Sequence, residues 1–321
     1  MRFVIVGAGA VGGVVGGFWA RAGCEVVLIA RGAQLAAVAE AGLRVETPVE
    51  SFVVRPAVAD HPARIAWRPD DVAVLAVKTQ DAAAALIDLA QAAPRTPVLC
   101  MTNGVEAERL ALRHVAEVHA ACVMLPATYL APGVVQAWAA PSPGAIDLGR
   151  YPDGGDRVSA AIVDALRTAG FASELRPEIM RWKRGKLLAN LANAIEALCG
   201  RPARQSELAE RARREATACF AAARLSCTTT EEYDARNAGT QPQPIGGVTR
   251  AGGSTWQSLS RGARALETDY LNGEIVLLGR LHGVATPVNA FLQHFAAEAA
   301  RRGVAPGSMS VAELAALAGP V

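Results

Sequence analysis

Along the first half of the chain, apolar residues fall in short β-branched runs separated by stretches of helical periodicity. RFVIVG, EVVLIA, LRVE, FVVRPAV, VAVLAVK, PVLCM, AACVMLPAT and AIDLG read as strands, and helices are predicted near 13–22, 32–41, 80–93, 105–113 and 157–169. Strands that alternate with helices need crossover connections, so the pattern predicts a largely parallel sheet covered on both faces. The pattern changes near Pro177. Beyond it the spacing is helical over 178–199, 205–225, 229–238, 256–282, 287–302 and a short tail near 310–318. One stretch, NAGTQPQPIGGVTRAGGS, is too rich in glycine and proline for a helix, and a loop of that length is functional or mobile in a compact domain. The reading is an α/β domain over 1–176 and an all-α domain over 177–321.

The run from Phe3 to Ala20 carries no charge and is long enough to suggest a membrane span. Its glycines at 7, 9, 12, 13, 16 and 17 are poor material for a lone helix. It opens as a strand, with no basic leader and no cleavage signal. It therefore reads as strand, turn and buried helix of a soluble, cytoplasmic protein. A chain of 321 residues, 51% hydrophobic and 19% charged, is too apolar for disorder and long enough for two cores. The net charge of +2, without a basic cluster interleaved with aromatics, gives no field for nucleic acid, and no membrane partner is expected. Six cysteines without a CxxC pair or a histidine at zinc spacing read as reduced thiols, and no metal site is expected. No histidine has a paired acid at recognisable spacing, so none is assigned to catalysis.

Gly7-Ala8-Gly9-Ala10-Val11-Gly12 follows the first strand and opens the first helix. Gly7 suits a tight turn, Gly9 lets the backbone approach a pyrophosphate, and Gly12 allows close packing of helix on strand. The helix start offers N–H groups to the phosphates. Sites for NAD place an acid at the end of the second strand. Here that strand ends Ile29-Ala30-Arg31, and a guanidinium suits a 2′-phosphate. NADP is thus preferred over NAD, although an arginine-rich chain also places arginines by chance. Lys78 ends VAVLAVK and Asn103 ends VLCMTNG. At the carboxyl edge of a parallel sheet both would face the nicotinamide half of a dinucleotide, or else serve as a cap and a turn.

Lysine is scarce: Lys78, Lys183 and Lys186 are the three among 32 lysines and arginines. An ammonium can give up a proton that a guanidinium holds, so Lys78 and Lys186 are candidates for proton chemistry. On the predicted 178–199 helix, Lys186, Asn190 and Asn193 share one face of an otherwise Leu/Ala-rich surface. That stripe is a ligand site, a solvated face or an internal network.

Further on, Gly253-Ser254-Thr255-Trp256-Gln257 precedes Glu267-Thr268-Asp269-Tyr270-Leu271-Asn272-Gly273-Glu274 on a long predicted helix. With AVK, TNG and the W-x-x-x-K-L-x-x-N helix, this linked set resembles the ketopantoate reductases (2-dehydropantoate 2-reductases) over essentially the whole length. The resemblance implies a Rossmann-type domain with a mostly parallel sheet, followed by an all-α domain like the C-terminal part of 6-phosphogluconate dehydrogenase. It implies reduction of a branched 2-oxo acid, ketopantoate to pantoate, with hydride from NADPH and the proton from Lys186. It makes Glu267 the active-site glutamate, and Asn190 and Ser254 substrate-binding residues. Asn103 and Lys78 match positions close to nicotinamide and substrate, and Arg31 the residue on the 2′-phosphate. A homodimer is compatible with this reading.

The chain also departs from the family pattern. Ala194 stands where the family commonly has a second asparagine, and Asn193 is expected to substitute for it. Ala251-Gly252-Gly253 lacks the asparagine often found before the serine. Glu274 lies on the same face as Glu267 and competes with it for the acid's role. Two other functions fit parts of the pattern: a β-hydroxyacid dehydrogenase, which also uses a helical K-x-x-x-N, and a non-catalytic NADP(H)-binding sensor. The E-x-D-Y-L-N-G segment and Arg31 count against the former, the retained Lys186 and Glu267 against the latter.

Overall fold

The structure, a computed structural model, describes residues 1–319, and Pro320 and Val321 at the end of the predicted helical domain lie outside the described residues. The chain divides into two compact units. Met1–Met180 and Glu231–Arg250 form the first, Arg181–Thr230 and Ala251–Val321 the second.

Strands β1 (Arg2–Val6), β2 (Glu25–Ile29), β3 (Leu43–Glu46), β4 (Ser51–Val54), β5 (Ala57–Ala59), β6 (Asp71–Leu75), β7 (Val98–Cys100), β8 (Val118–Met124), β9 (Ala127–Ala131), β10 (Val134–Ala137) and β11 (Ala145–Arg150) belong to the first unit. Seven of them form the main sheet, in the order β11-β8-β7-β6-β1-β2-β5. All its neighbours are parallel except β11, which runs antiparallel to β8. Every residue of β1, β6, β7 and β8 is buried, as strands covered on both faces require. Helices α1 (Ala10–Arg21), α2 (Gly32–Ala41), α3 (Ala82–Ala92), α4 (Ala107–Leu112) and α5 (Arg157–Thr168) complete the crossovers.

A second, four-stranded sheet of order β4-β3-β10-β9 packs on α1; parts of β3, β4 and β9 lie in runs read as strands, but their separation from the main sheet and β10 were not foreseen. Two of its strands, β4 and β9, are set off by prolines, which cannot donate to a ladder. FVVRPAV, expected as one strand, divides at Pro56: β4 joins the second sheet and β5 edges the first. AACVMLPAT likewise divides at Pro126 into β8 and β9. The glycine run of α1 now has a packing reason. A β-carbon at Gly16 would lie 2.7 Å from Ile5 and 2.9 Å from Leu28 of the main sheet, and one at Gly17 would lie 2.5 Å from Val45 of the second. The uncharged segment is strand β1, a turn and a helix pressed between two sheets, and no helix among the described residues is long and apolar enough to cross a membrane.

Past α5 the elements are helical: α6 (Ile179–Asn190), α7 (Asn193–Cys199), α8 (Glu207–Ala222), α9 (Thr230–Asn237), α10 (Ser254–Ser260), α11 (Asn272–His282), α12 (Pro287–Arg301) and α13 (Val311–Ala318). Two predicted long helices are broken. The 178–199 helix stops at Asn190 and restarts at Asn193. The 256–282 helix is three pieces: α10, ended by Gly262 at φ +70°, a 3-10 turn over Glu267–Tyr270, and α11. Leu187, Leu191, Ile195, Ala212, Ala216, Phe220, Ile275 and Leu292 are buried in this unit.

The glycine- and proline-rich stretch is anchored to the first unit. Gln243 donates its N–H to the Trp138 carbonyl at 2.6 Å and its Nε2 to Ala140 at 2.8 Å, and Arg250 reaches the Ala127 carbonyl at 3.2 Å. Just before it, Arg236 of α9 makes paired bonds of 2.6 and 2.8 Å to the fully buried Asp147 of β11. That carboxylate raises the pKa of the Arg236 guanidinium, against the opposing effect of its burial.

Candidate active site

The first unit turns from β1 into α1 through the glycines expected to cradle a dinucleotide. Gly7 leaves β1 at φ +105°, a conformation costly for residues with a β-carbon. A β-carbon at Gly12 would stand 2.1 Å from the Gly7 carbonyl oxygen and 2.9 Å from Ile5, so only glycine lets α1 start so close to the strand. At Gly9 the opposite holds: a β-carbon there would meet no atom within 4 Å. The room sits at the N-cap of α1, where no side chain caps the helix and Ala10 and Val11 open the first turn. These features fit a pyrophosphate held by backbone N–H groups. Gln34, which the sequence reading missed, fixes the loop. Buried on α2, it donates to the Ala8 carbonyl at 2.9 Å and accepts from the Gly133 N–H at 2.7 Å.

Arg31 follows β2 and caps the start of α2. Its side chain is 75% exposed, and its Nη2 lies 3.6 Å from the Asp88 carboxylate. An exposed pair of this kind contributes about 0–1 kcal/mol, too little to keep the guanidinium from a phosphate. Lys78 and Asn103 do not end strands, because β6 stops at Leu75 and β7 at Cys100. Both occupy loops beyond the carboxyl ends of these adjacent strands. The Thr79 hydroxyl ties the loops together by donating to the Asn103 carbonyl at 3.1 Å.

In the second unit, Lys186 and Asn190 lie four residues apart on α6 and so on one face. Asn190 carries a buried Nδ2 with no hydrogen-bond partner among the described residues, a group that needs an acceptor. Asn193 does not extend this stripe. The helix breaks before it, and its Oδ1 accepts from Arg204 Nη1 at 2.8 Å. Ala194, at the family's second asparagine position, is buried and offers no polar group. Ser254 is the first residue of α10. Glu267 sits on the 3-10 turn rather than on a long helix, and at 5% exposure it is not a surface charge; Glu274 on α11 is 8% exposed. Asn272, fully buried, draws this segment to the α6–α7 break by donating to the Leu191 carbonyl at 3.2 Å. Its Nδ2 also reaches Asn289 Oδ1, whose own Nδ2 donates to Glu215 on α8 at 2.7 Å.

Two pairings of histidine escaped the sequence reading. His61 Nε2 lies 3.3 Å from Asp88. Fully buried His119 sets its Nε2 3.1 Å from both oxygens of Asp156, and ligand-capable atoms of these two residues and Glu117 lie within 4.8 Å of one another. The trio gathers at the amino end of β8, away from the strand ends that carry Lys78 and Asn103. The Asp156 carboxylate is already committed to capping α5 through the Ser159 N–H at 2.8 Å. The six cysteines are free thiols.

The sequence profile described as "Ketopantoate reductase PanE/ApbA" matches residues 3–153, and its partner, "Ketopantoate reductase PanE/ApbA C terminal", matches residues 178–300. The chain belongs to the ketopantoate reductase family. It is 30% identical over 301 residues to a 2-dehydropantoate 2-reductase of Halobacterium salinarum, covering 90% of this chain and 95% of that protein. A PanE/ApbA family ketopantoate reductase from Ralstonia eutropha JMP134 superposes with a TM-score of 0.80 at 28% identity, over 94% of this chain and 99% of the other. A D-mandelate dehydrogenase solved with NADH and anilino(oxo)acetate shares the fold, with a TM-score of 0.80 at 22% identity over 95% of this chain and 100% of that one. Membership makes this chain a pyridine-nucleotide-dependent oxidoreductase acting on a CH–OH group, with small oxo acids as its substrate class.

Proposed function

We propose that this ketopantoate reductase family member reduces a branched 2-oxo acid, 2-dehydropantoate first among them, with NADPH as the reductant. Gly7, Ala8, Gly9, Ala10, Val11 and Gly12 would hold the pyrophosphate, and Arg31 the 2′-phosphate that separates NADP from NAD. Lys78 and Asn103 would flank the nicotinamide ring. When bound, the reduced nicotinamide supplies the hydride. The remaining chemistry belongs to the helical unit. Lys186 donates a proton to the carbonyl oxygen as negative charge builds there, a task for which an ammonium is suited and a guanidinium is not. Glu267 holds that lysine or a substrate hydroxyl in place. Asn190 and Ser254 orient the substrate.

The observation that carries this reading is the buried, unpartnered Nδ2 of Asn190 one turn from Lys186, at the helix end where Asn272 moors the Glu267 segment. In this reading a donor and an acid would meet near the end of the one helix that carries the ammonium. The test is turnover: NADPH absorbance is followed with ketopantoate and a panel of 2-oxo and 3-oxo acids, then repeated with NADH. Ketopantoate as the best substrate with NADPH supports the reading, and preference for 3-oxo acids assigns a β-hydroxyacid dehydrogenase. Tight NADPH binding with no turnover assigns a sensor. A second reading keeps the reaction and changes the acid. It is favoured by Ala194 and by the commitment of Asn193 to Arg204, which together remove a polar contact from the substrate side. It predicts a better substrate than ketopantoate within the 2-oxo acid panel.

A further inference from the structure

Glu196, on α7, is a buried acid for which the proposed reaction has no use. At 4% exposure its carboxylate needs hydrogen-bond partners, and its two oxygens are divided between two of them. Oε1 accepts the Gly253 N–H at 2.8 Å, and Oε2 accepts from Arg204 Nη1 at 2.7 Å. The guanidinium goes further. The same Nη1 reaches Asn193 Oδ1 at 2.8 Å, and Nη2 donates to the Ala189 carbonyl at 2.7 Å. One acid–base pair therefore links the last turn of α6, the body of α7 and the N-cap of α10.

The residues at the two ends of this chain of bonds matter. Ala189 precedes Asn190, and Gly253 precedes Ser254. No side chain of α10 caps its own start, and a β-carbon at Gly253 would stand 3.0 Å from Glu196 Oε2. Glycine at 253 leaves the carboxylate room to reach the backbone.

We propose that Glu196, held by Arg204, is a positioning residue that sets Ser254 against Asn190 and so fixes the affinity for the oxo acid. This rests on the reading that Ser254 and Asn190 contact the substrate. Asn193 belongs to the same clasp, steadying the guanidinium rather than meeting substrate. Glu196 touches neither substrate nor cofactor in this assignment. Its loss should weaken substrate binding while leaving the hydride and proton steps and the nucleotide site largely intact.

The experiment uses the full chain with NADPH and whichever 2-oxo acid the wild type reduces best. Glu196→Ala should raise KM for the acid at least about tenfold with kcat within about threefold. NADPH affinity should stay within about twofold, because the glycine cradle is untouched. Gly253→Ala, which sets a β-carbon 3.0 Å from the Glu196 carboxylate and so crowds its seat on the α10 N-cap, should raise KM in the same way and serves if Glu196→Ala folds poorly. In a Ser254→Ala background, Glu196→Ala should add little, since its effect runs through that residue. KM within twofold of wild type in either folded variant, or effects of Glu196→Ala and Ser254→Ala that simply multiply, overturns the positioning role. A wild type that reduces no acid in the panel fails the functional reading itself and takes this inference with it. Normal turnover with an unmoved KM fails the inference alone.

Discussion

Asn272 donates its Nδ2 to the Leu191 carbonyl at 3.2 Å, joining two segments separated by 81 residues at the point where α6 ends. The bond is a cap supplied from a distance: it satisfies a carbonyl that the broken helix leaves without an intrahelical partner. It also ties the start of α11, just after the turn bearing Glu267, to the residue that follows α6. Asn272→Ala should lower unfolding stability by about 1–3 kcal/mol, the cost of stranding buried polar groups. Its kcat should fall by more than its NADPH affinity. Chemical denaturation and steady-state kinetics on one preparation check both.

Gly9 and Gly12 should fail differently. Gly12→Ala drives a β-carbon to 2.1 Å from the Gly7 carbonyl, so the first helix must shift and the melting temperature should drop. Gly9→Ala meets nothing within 4 Å and should leave melting unchanged. Its methyl instead fills the room assigned to the pyrophosphate, so NADPH affinity should weaken at least about tenfold, the equivalent of one lost contact. Thermal melts with and without nucleotide separate the two.

Arg31→Asp replaces a cation with an acid at the mouth assigned to the 2′-phosphate. A hydrogen bond to a charged group contributes about 1.5–3 kcal/mol, so the preference for NADPH should fall by roughly 10–150-fold. NADH kinetics should be equal or better. An unchanged NADPH/NADH ratio of kcat/KM removes Arg31 from this role.

Asp156 makes part of the fold sensitive to acid. Burial opposes ionisation of its carboxylate, but bonds from the Ser159 N–H and hydroxyl and from His119 prevail and hold its pKa below the ordinary aspartate value. A carboxylate depressed in the folded state stabilises the protein above its unfolded pKa, about 4, and that contribution is lost as pH falls through the folded value. Asp156→Asn should therefore melt lower than wild type at pH 7, with a gap that narrows below about pH 4. A gap independent of pH contradicts the assignment.

Much of the architecture was legible because it is written locally. The β-branched runs, the glycine spacing of Gly7, Gly9 and Gly12, and the four-residue step from Lys186 to Asn190 need no distant information. The second sheet was legible only as separate strand runs, LRVE among them, and not as a sheet of its own. Its strands are as short as four residues, and VVQA offers too few alternations to stand out from a loop. Gly262, which ends α10, was a local signal passed over, whereas the break after α6 left the apolar periodicity intact, and the bond that caps its end comes from Asn272 far along the chain. Asn193 was misplaced for the same reason: on an unbroken helix it would continue the Lys186 stripe, and only the break turns it to Arg204. Glu196 and His119 gave no signal because their partners, Gly253 and Asp156, lie 57 and 37 residues away.

The account stands on Lys186 as the proton donor, and one comparison tests it directly. Wild type, Lys186→Ala and Lys186→Arg are assayed for oxo acid reduction at saturating NADPH, with nucleotide affinity measured by fluorescence titration on the same samples. Both variants should lose about 10²–10⁴-fold in kcat, the arginine no better than the alanine, with NADPH binding within about twofold of wild type. A folded Lys186→Ala that turns over at the wild-type rate would contradict it.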